Sequence, residues 1–511
     1  MDNIVALDIG TTGVKAALVD RRGQIVASAY AGYPTYTDGN RIEQEPEAWW
    51  RATGEALAAL WREMPVARSV AGVALSGQMQ DTILLGSQGA VGRAILYSDC
   101  RAEAEARLLD EQIGEARLAA ISGNSQTATS VLAKWLWLAR QAPARLAATQ
   151  TLLLGAHDYI TWQLCGARTT DYTTAATTGL LDLRANCWNE TTIRTLGLDL
   201  ALLPELRRAG EQVGLVSASA AQVTGLPVGT PVFQGVGDLG ATTVGVGAGV
   251  PGRLYGYLGT SGWLASTLTQ AEPCPERGIF TVRHPDPAQV IQVVPMLTAG
   301  GNLEWLRGIF HSMSASVLGL ETVAPGVDYD LLNRLASSVP AGSRGLLYLP
   351  YLGGERSPFS APDARACFIG LSAESQPSEL ARAVLEGTAL AYRALREALG
   401  PESVTDSLLL VGGGAKSPVW TQILADVLGA PVHVAADPGN AAARGAALIA
   451  GQTLGWFDSY APVPDFFPIA QTYTPNPAHR DLYDRLFALF ASLHLQLAST
   501  FAGLAAIRRG I

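Results

Sequence analysis

The alternation of hydrophobic and polar positions along the chain predicts an α/β protein with mixed sheets. Three apolar runs near the start, 4–9, 14–20 and 24–30, are separated by short glycine-containing turns and indicate consecutive antiparallel strands. A helix is predicted at 47–62, and the apolar run 70–76 predicts a further buried strand. We expect these elements to form a mixed sheet flanked by helices.

The opening pattern returns in the second half of the chain. Residues 254–266 again give a strand, a Gly-Thr turn and a strand, and Gly259 follows Gly10 at roughly half the chain length. This repeat predicts two similar domains, 1–247 and 248–511, each of which opens on a hairpin.

The two hairpin turns are rich in backbone amides and hydroxyl groups. Such turns form concave sets of N–H groups, and two that face each other could hold a polyphosphate from both sides. The copies differ at one informative position, because Asp8 in the first has Tyr257 as its counterpart in the second. We therefore expect one half to supply a carboxylate and the other to supply only donors.

A glycine-rich segment, 230–249, lies between the two halves. An apolar pair at 232–233 predicts a short buried strand, and a glycine turn then presents Asp238 just before a helix. Three glycines match G-x-G-x-x-G: Gly235, Gly237 and Gly240. A dinucleotide fingerprint also requires an acidic residue about twenty positions later, and the next one after Asp238 is Glu272. We interpret Asp238 instead as a general base at a strand end in a cleft.

A second glycine turn follows the apolar run 408–411, and a helix is predicted at 419–428. Glycines at 412–414 would let a flat or anionic ligand approach the backbone, and the helix N-terminus would favour a negative charge. The chain has no G-x-x-x-x-G-K-[ST] pattern, so a nucleotide would bind without a P-loop.

Composition and charge exclude several classes of protein. With 511 residues, 48 % of them hydrophobic and 16 % charged, the chain can form two to four compact domains. The net charge of −9 and the lack of a basic stripe argue against a nucleic-acid partner. The five cysteines are scattered without a C-x-x-C pair, which predicts reduced, mostly buried thiols and a cytoplasmic location.

The two ends of the chain bear on a membrane location. The first residues lack the basic stretch of a signal peptide. Residues 486–507 contain no Asp, Glu, Lys or Arg and are long enough to span a bilayer. Polar residues interrupt them, however, and leucines recur at helical spacing from Leu482 to Leu497. We predict a packed terminal helix and no membrane partner.

Short motifs are spread over essentially the whole chain: 8–15, 43–49, 76–79, 99–101, 134–137, 237–238, 258–261, 299–302, 366–371, 379–386 and 412–415. On these motifs the chain resembles the FGGY family of carbohydrate kinases, and within it the xylulokinases. The resemblance implies a two-domain actin/hexokinase-like (ribonuclease H-like) fold with its active site in the interdomain cleft. It also implies transfer of a phosphoryl group from ATP to a hydroxyl of a small sugar, D-xylulose first among them.

The resemblance further implies roles for individual residues. Asp238 corresponds to the catalytic base, and Asp8 to the carboxylate that orients Mg²⁺ on ATP, in part through water. The residues implied in nucleotide binding are Thr11, Thr12, Lys15, Gly259, Thr260, Gly300, Gly414, Ala415 and Ser417. Those implied in sugar binding are Met79, Gln80, Asp238 and Leu239.

Two positions depart from the xylulokinase pattern and leave the substrate open. The pattern has Met-His where this chain has Met79-Gln80, and Asp-Asn where it has Asp238-Leu239. Leu239 cannot form a side-chain hydrogen bond, and a site that loses such a group can change specificity. Gluconate, ribulose, glycerol and other polyols therefore stay alternatives to D-xylulose. A homodimer is one option for the assembly.

Two hypotheses from other functional classes also stay open. An actin- or chaperone-type ATPase would share the nucleotide-gripping architecture, and so would a sugar sensor without catalysis. Among other candidates, His157-Asp158 and Asp171 are interpreted mainly as helix-capping residues. Trp49 and Trp50 could line a sugar pocket or simply pack in a helix interface.

Overall fold

The computed structural model describes residues 3–64, 70–270, 272–318, 327–400, 403, 406–467 and 469–510. Its strands are β1 (Asn3–Ile9), β2 (Gly13–Asp20), β3 (Ile25–Gly32), β4 (Tyr36–Asp38), β5 (Arg41–Gln44), β6 (Val73–Gly77), β7 (Met79–Leu85), β8 (Ala94–Ile95), β9 (Thr151–Gly155), β10 (Thr169–Asp171), β11 (Leu181–Asp182), β12 (Cys187–Trp188), β13 (Glu205–Arg207), β14 (Gln212–Leu215), β15 (Pro231–Phe233), β16 (Val236–Gly237), β17 (Leu254–Leu258), β18 (Gly262–Leu268), β19 (Phe280–Arg283), β20 (Val290–Met296), β21 (Leu347–Leu349), β22 (Cys367–Ile369), β23 (Leu408–Val411), β24 (Val432–Ala435) and β25 (Ile469–Tyr473). Its α-helices are α1 (Pro46–Glu63), α2 (Glu103–Gln112), α3 (Glu115–Ser122), α4 (Val131–Gln141), α5 (Pro143–Ala147), α6 (Ala156–Cys165), α7 (Tyr172–Ala176), α8 (Glu190–Thr195), α9 (Ala218–Thr224), α10 (Asp238–Gly245), α11 (Gly300–Leu318), α12 (Tyr329–Ser337), α13 (Pro377–Leu399), α14 (Pro418–Leu428), α15 (Ala441–Thr453) and α16 (Arg480–Gly510).

The first large sheet has seven strands in the order β14-β15-β6-β1-β2-β3, with β16 also paired to β6. Strand β2 pairs antiparallel with β1 on one side and with β3 on the other, as the apolar runs predict. β6 returns parallel to β1, and β15 and β16 are in turn parallel to β6. The sheet is therefore mixed, and the carboxyl ends of its parallel strands meet at one edge.

The second large sheet repeats this plan. It has seven strands in the order β19-β20-β18-β17-β23-β24-β25. Strand β17 pairs antiparallel with β18 and parallel with β23, just as β1 pairs with β2 and β6. The repeat predicted from the two hairpins is thus present in the topology, and the predicted mixed α/β class is confirmed.

Two short helices cross between the sheets. Helix α15 packs four alanines, at 443, 446, 447 and 450, against the first sheet. Their partners include Ile4 of β1 and Phe233 of β15. Helix α10 approaches α15 so closely that a Cβ on Gly245 would overlap the carbonyl of Ala441, and one on Gly445 would overlap that of Ala241. The two halves of the chain are joined through this backbone contact.

The C-terminal helix α16 is helical as predicted, but only one of its faces is packed. Tyr483, Phe487 and Phe490 are buried, whereas Leu489 is 61 % exposed. By length and composition, Pro477–Gly510 could cross a membrane, and 17 % of its most apolar window is buried. The expectation that Leu489 belongs to the packed stripe was wrong, because the aromatic residues rather than every leucine define the buried face.

The cysteines follow the sequence expectation in part. All five are free thiols. Cys100 and Cys187 are exposed and the other three are half-buried, so the expectation of mostly buried thiols was wrong.

Candidate active site

Asp8 and Asp238 lie at the ends of neighbouring parallel strands. Asp8 on β1 pairs in register with Ser76 on β6, and Val236 on β16 pairs with the same Ser76 from the other side. Asp238 follows β16 directly and is the first residue of α10. The structure therefore brings the two predicted carboxylates to one edge of the sheet, with a single strand between them.

Burial and charge shift the titration of this pair upward. Burial raises the pKa of Asp238 to about 7, the negative charge of Asp8 raises it further, and the amide of Leu239 and the charge of His157 oppose the rise. Burial likewise raises the pKa of Asp8, against the opposing charges of Lys15 and His157. Asp238 is thus a carboxyl group that can exchange a proton near neutral pH.

His157 lies in a slot behind the two carboxylates. A Cβ on Gly77, Gly155 or Gly235 would press against its side chain, so only glycines leave room for the ring. Its Nε2 lies 3.3 Å from Asp171 Oδ1 and 3.3 Å from Thr174 Oγ1. The imidazole is fully buried, and negative charges, Asp158 foremost, raise its pKa against the effect of burial.

The capping interpretation is confirmed for Asp158 and Asp171. Asp158 accepts hydrogen bonds from the amides of Leu154 and Gly155 at the start of α6. Asp171 caps α7 by accepting from the amides of Thr173 and Thr174. His157 does not cap the helix.

The first Gly-Thr turn has its carbonyl groups bonded to the protein's own donors. Gln44 Nε2 donates to the Thr11 carbonyl at 2.7 Å, and Tyr30 donates to that of Thr12 at 2.8 Å. Lys15 lies opposite Asp8 in the β1–β2 hairpin, and its Nζ donates to the carbonyl of Gly439 in the other half of the chain. Lys15 therefore reaches from the first half of the chain to the second.

The second turn packs on the start of α11. The amide of Gly300 donates to the Gly259 carbonyl at 2.7 Å, and the amide of Gly301 donates to that of Thr260 at 3.0 Å. Gly414 fits against Leu258, where a Cβ would overlap its side chain. The structure thus brings Gly259, Thr260, Gly300 and Gly414 together at the end of β17.

Ala415 and Ser417 lie next to this group. Ala415 is buried, and Ser417 caps α14 by accepting from the amide of Trp420 at 3.2 Å. Its hydroxyl donates to Asn333 Oδ1 at 2.7 Å.

Of the residues implied in sugar binding, Met79 and Leu239 lie beside Asp238, whereas Gln80 lines a cavity that Asp238 itself does not line. Met79 packs on Gly237, where any side chain would overlap its sulfur. Gln80 lines a cavity of about 790 Å³, whose walls come from both halves of the chain. Leu239 is half-buried and packs with apolar residues of the second sheet.

Trp49 does not line this cavity. It is fully buried in the first core and donates from Nε1 to Gln44 Oε1 at 2.9 Å, so its packing interpretation is confirmed.

The sequence analysis did not anticipate a buried pair of charges beside this site. Asp81 and Lys134 are both fully buried. Asp81 Oδ1 accepts from the Tyr97 amide at 3.2 Å, and Lys134 Nζ donates to the Leu96 carbonyl at 2.6 Å. The available signal was the single lysine within the apolar run of α4.

Comparison with known proteins decides the family. The model of the FGGY family of carbohydrate kinases, N-terminal domain, matches residues 3–245, and that of its C-terminal domain matches residues 254–454. The chain belongs to the FGGY family of carbohydrate kinases.

Individual relatives of this FGGY kinase are similar over their full length. It is 30 % identical to the xylulose kinase of Escherichia coli over 98 % of this chain and 100 % of that protein. It is 28 % identical to the gluconokinase of Bacillus subtilis over 99 % of this chain and 98 % of that protein. The crystal structure of xylulose kinase from Rhodospirillum rubrum superposes with a TM-score of 0.88 at 29 % identity, covering 98 % of this chain and 100 % of that one. The expected two-domain kinase fold is therefore confirmed, and the chain is an ATP-dependent carbohydrate kinase.

Proposed function

We propose that this kinase transfers the γ-phosphoryl group of ATP to a hydroxyl of D-xylulose, giving D-xylulose 5-phosphate. The observation that carries the proposal is the position of Asp238, which begins α10 one strand away from Asp8 at the edge of the first sheet. Phosphoryl transfer depends mainly on positioning and charge stabilisation, and two facing turns with one adjacent base provide both.

Asp238 is the proposed general base. It accepts the proton of the attacking sugar hydroxyl as the oxygen bonds to the γ-phosphorus. Because its pKa is raised to about 7, the carboxylate is a stronger base than an ordinary aspartate and is still ionised in a substantial fraction at neutral pH. A base of this kind contributes on the order of a hundred- to ten-thousandfold to the rate.

The two hairpin turns are the proposed phosphate-binding elements. Thr11, Thr12 and Lys15 act from the first half, and Gly259 and Thr260 from the second. Gly300, Gly414, Ala415 and Ser417 are the proposed adenosine-binding residues. The bonds that place Gly259, Thr260 and Gly300 side by side support this assignment.

Asp8 is the proposed protein ligand of Mg²⁺, in part through water. No group of three or more His, Cys, Asp or Glu side chains among the described residues forms a metal site of its own. A single carboxylate, that of Asp8, fits Mg²⁺, because this ion is commonly held by one or two carboxylates, water and substrate phosphates. When bound, the ion would neutralise charge on the phosphates.

The acceptor is the least constrained part of the proposal. Xylulose kinases and a gluconokinase are similar to this chain at nearly equal identity. Gln80 and Leu239 replace the polar pair expected of a xylulokinase, while Met79 and Asp238 match it. Gluconate, ribulose, glycerol and other polyols are therefore the alternative acceptors.

Sugar-stimulated release of ADP from Mg-ATP tests the proposal. We expect D-xylulose to give the highest kcat/KM in a panel that also contains D-ribulose, gluconate and glycerol. ADP release that no acceptor stimulates would instead support an ATPase of the actin or chaperone type. Sugar binding without turnover would support a sensor.

Three further assignments belong to the same proposal. We divide the chain into domains 1–247 and 248–511, a boundary supported by its position between α10 and β17. A cytoplasmic location is supported by the five free thiols. A homodimer stays a prediction that light scattering would test.

A further inference from the structure

One peptide group beside the candidate active site is held between two buried charges. The carbonyl of Leu96 accepts from Lys134 Nζ at 2.6 Å, and the amide of Tyr97 donates to Asp81 Oδ1 at 3.2 Å. These two atoms belong to the same peptide bond. Lys134 and Asp81 therefore bind its opposite ends, which is the arrangement that its dipole favours.

A peptide group does not require ionisable side chains to complete its two hydrogen bonds. A neutral amide or hydroxyl would hold either end more weakly, because charge-assisted hydrogen bonds are roughly twice as strong as neutral ones. Both side chains are fully buried, so neither is screened by water, and Asp81 Oδ2 has no hydrogen-bond partner within the part of the chain that the structure describes. Burial raises the pKa of Asp81 and lowers that of Lys134 to about 8, while the opposite charge of the partner counteracts each shift. The Leu96–Tyr97 peptide is therefore bound at both of its ends by a buried ionisable side chain.

The side chain that follows this peptide extends to the first Gly-Thr turn. Tyr97 is 40 % exposed, and its hydroxyl lies 3.4 Å from Thr11 Oγ1 in the first Gly-Thr turn. The neighbour of Asp81 in the chain, Gln80, lines the cavity of about 790 Å³ and has a left-handed backbone with φ of 64°. The negative charge of Asp238 also acts on Asp81, so the peptide that precedes the Tyr97 side chain lies near both the first Gly-Thr turn and the proposed base.

We propose that Asp81 and Lys134 are positioning residues for acceptor specificity, and that they act by fixing Tyr97 as a wall of the acceptor site. Neither charge touches the sugar. Asp81 and Lys134, together called the clamp, fix the position of the Tyr97 ring. The ring in turn limits which carbon atoms of the acceptor can approach Asp238. The idea rests on the proposed function, since it concerns the acceptor of that reaction.

A double-mutant cycle tests the proposal. We expect Asp81→Asn to raise the KM for the acceptor on the order of tenfold, because a shift of one wall displaces the bound sugar, with the KM for ATP changed less than about twofold. In a Tyr97→Ala background, Asp81→Asn should have almost no further effect on the acceptor KM. Equal effects in both backgrounds would overturn the proposal, as would a fall in melting temperature with unchanged acceptor KM.

Two further measurements keep the test decisive. If Asp81→Asn does not fold because Lys134 is left unpaired, the doubly neutral Asp81→Asn/Lys134→Met variant takes its place in the cycle. Hydrogen exchange of the Tyr97 amide needs no acceptor, and we expect it to accelerate when Asp81 is replaced. If wild-type protein phosphorylates no acceptor, the proposed function fails. Unchanged exchange at Tyr97 would instead overturn the clamp.

Discussion

Asp8 and Asp238 flank a single strand, β6, and the charge of Asp8 helps to keep the proton on Asp238. The two carboxylates come from positions on opposite sides of the first half of the chain. Because a neighbouring negative charge disfavours the ionised form, Asp8, the proposed metal ligand, makes Asp238, the proposed base, a stronger base.

Replacement of Asp238 should separate catalysis from nucleotide binding. We expect Asp238→Asn to lower kcat on the order of a hundred- to ten-thousandfold, because the base is lost while the amide keeps the shape of the site. Calorimetric titration should show nearly unchanged ATP affinity. Sugar phosphorylation at the wild-type rate in this variant would remove the base from the mechanism.

The activity should rise with pH through about 7. Only the ionised form of Asp238 can accept the sugar proton, and burial raises its pKa to about 7. We expect log kcat/KM to increase with unit slope below that pH and to level off above it. A flat profile between pH 5.5 and 8 would contradict the assignment.

The same shift makes a prediction about stability. A carboxyl group whose folded pKa lies above its unfolded value of about 4 stabilises the fold at low pH, and that contribution is lost as the pH rises through about 7. Asp238→Asn should therefore stabilise the protein by about 4 kcal/mol at pH 8 and by much less at pH 4. Thermal unfolding at both pH values checks the sign.

The crossing of α10 and α15 should not tolerate a side chain. We expect Gly245→Ala and Gly445→Ala each to destabilise the protein by about 3 kcal/mol, because the new Cβ would overlap a backbone carbonyl that cannot move freely. Gly308→Ala in α11 is the matched control, since a Cβ there meets no atom within 4 Å. That substitution should stabilise the helix by roughly 0.5–1 kcal/mol. Equal stabilities of the three variants would show that the crossing is not tightly packed.

Restoring the xylulokinase pair should sharpen specificity. We expect Gln80→His combined with Leu239→Asn to raise kcat/KM for D-xylulose relative to gluconate by on the order of tenfold, because polar partners for the sugar hydroxyls are regained. Leu239→Ile is the control that changes shape without adding a polar group. A ratio unaffected by the double substitution would place specificity elsewhere in the site.

The sequence predicted the parts of this molecule that are local. The hairpins at Gly10 and Gly259, and the position of Asp238 between a strand and a helix, follow from apolar runs that end at glycine turns. Contacts between distant positions could not be predicted in the same way. Asp81 and Lys134 meet only on the peptide of Leu96 and Tyr97, and nothing in their own segments indicates that partner. The exposed side of α16 was missed for a related reason, because helical spacing does not say which face the rest of the protein covers.

The crossed helices tie the two halves of the chain more closely than their separate sheets suggest. Four alanines of α15, which the repeat assigns to the second half, complete the core beneath the first sheet. Leu239 of α10, from the first half, packs with apolar residues of the second sheet. Each half therefore contributes apolar residues to a core cluster of the other half. Cut apart at 247/248, each half would keep a large core of its own but would expose the apolar clusters that the two halves share, so the duplicated architecture folds as two interdependent parts.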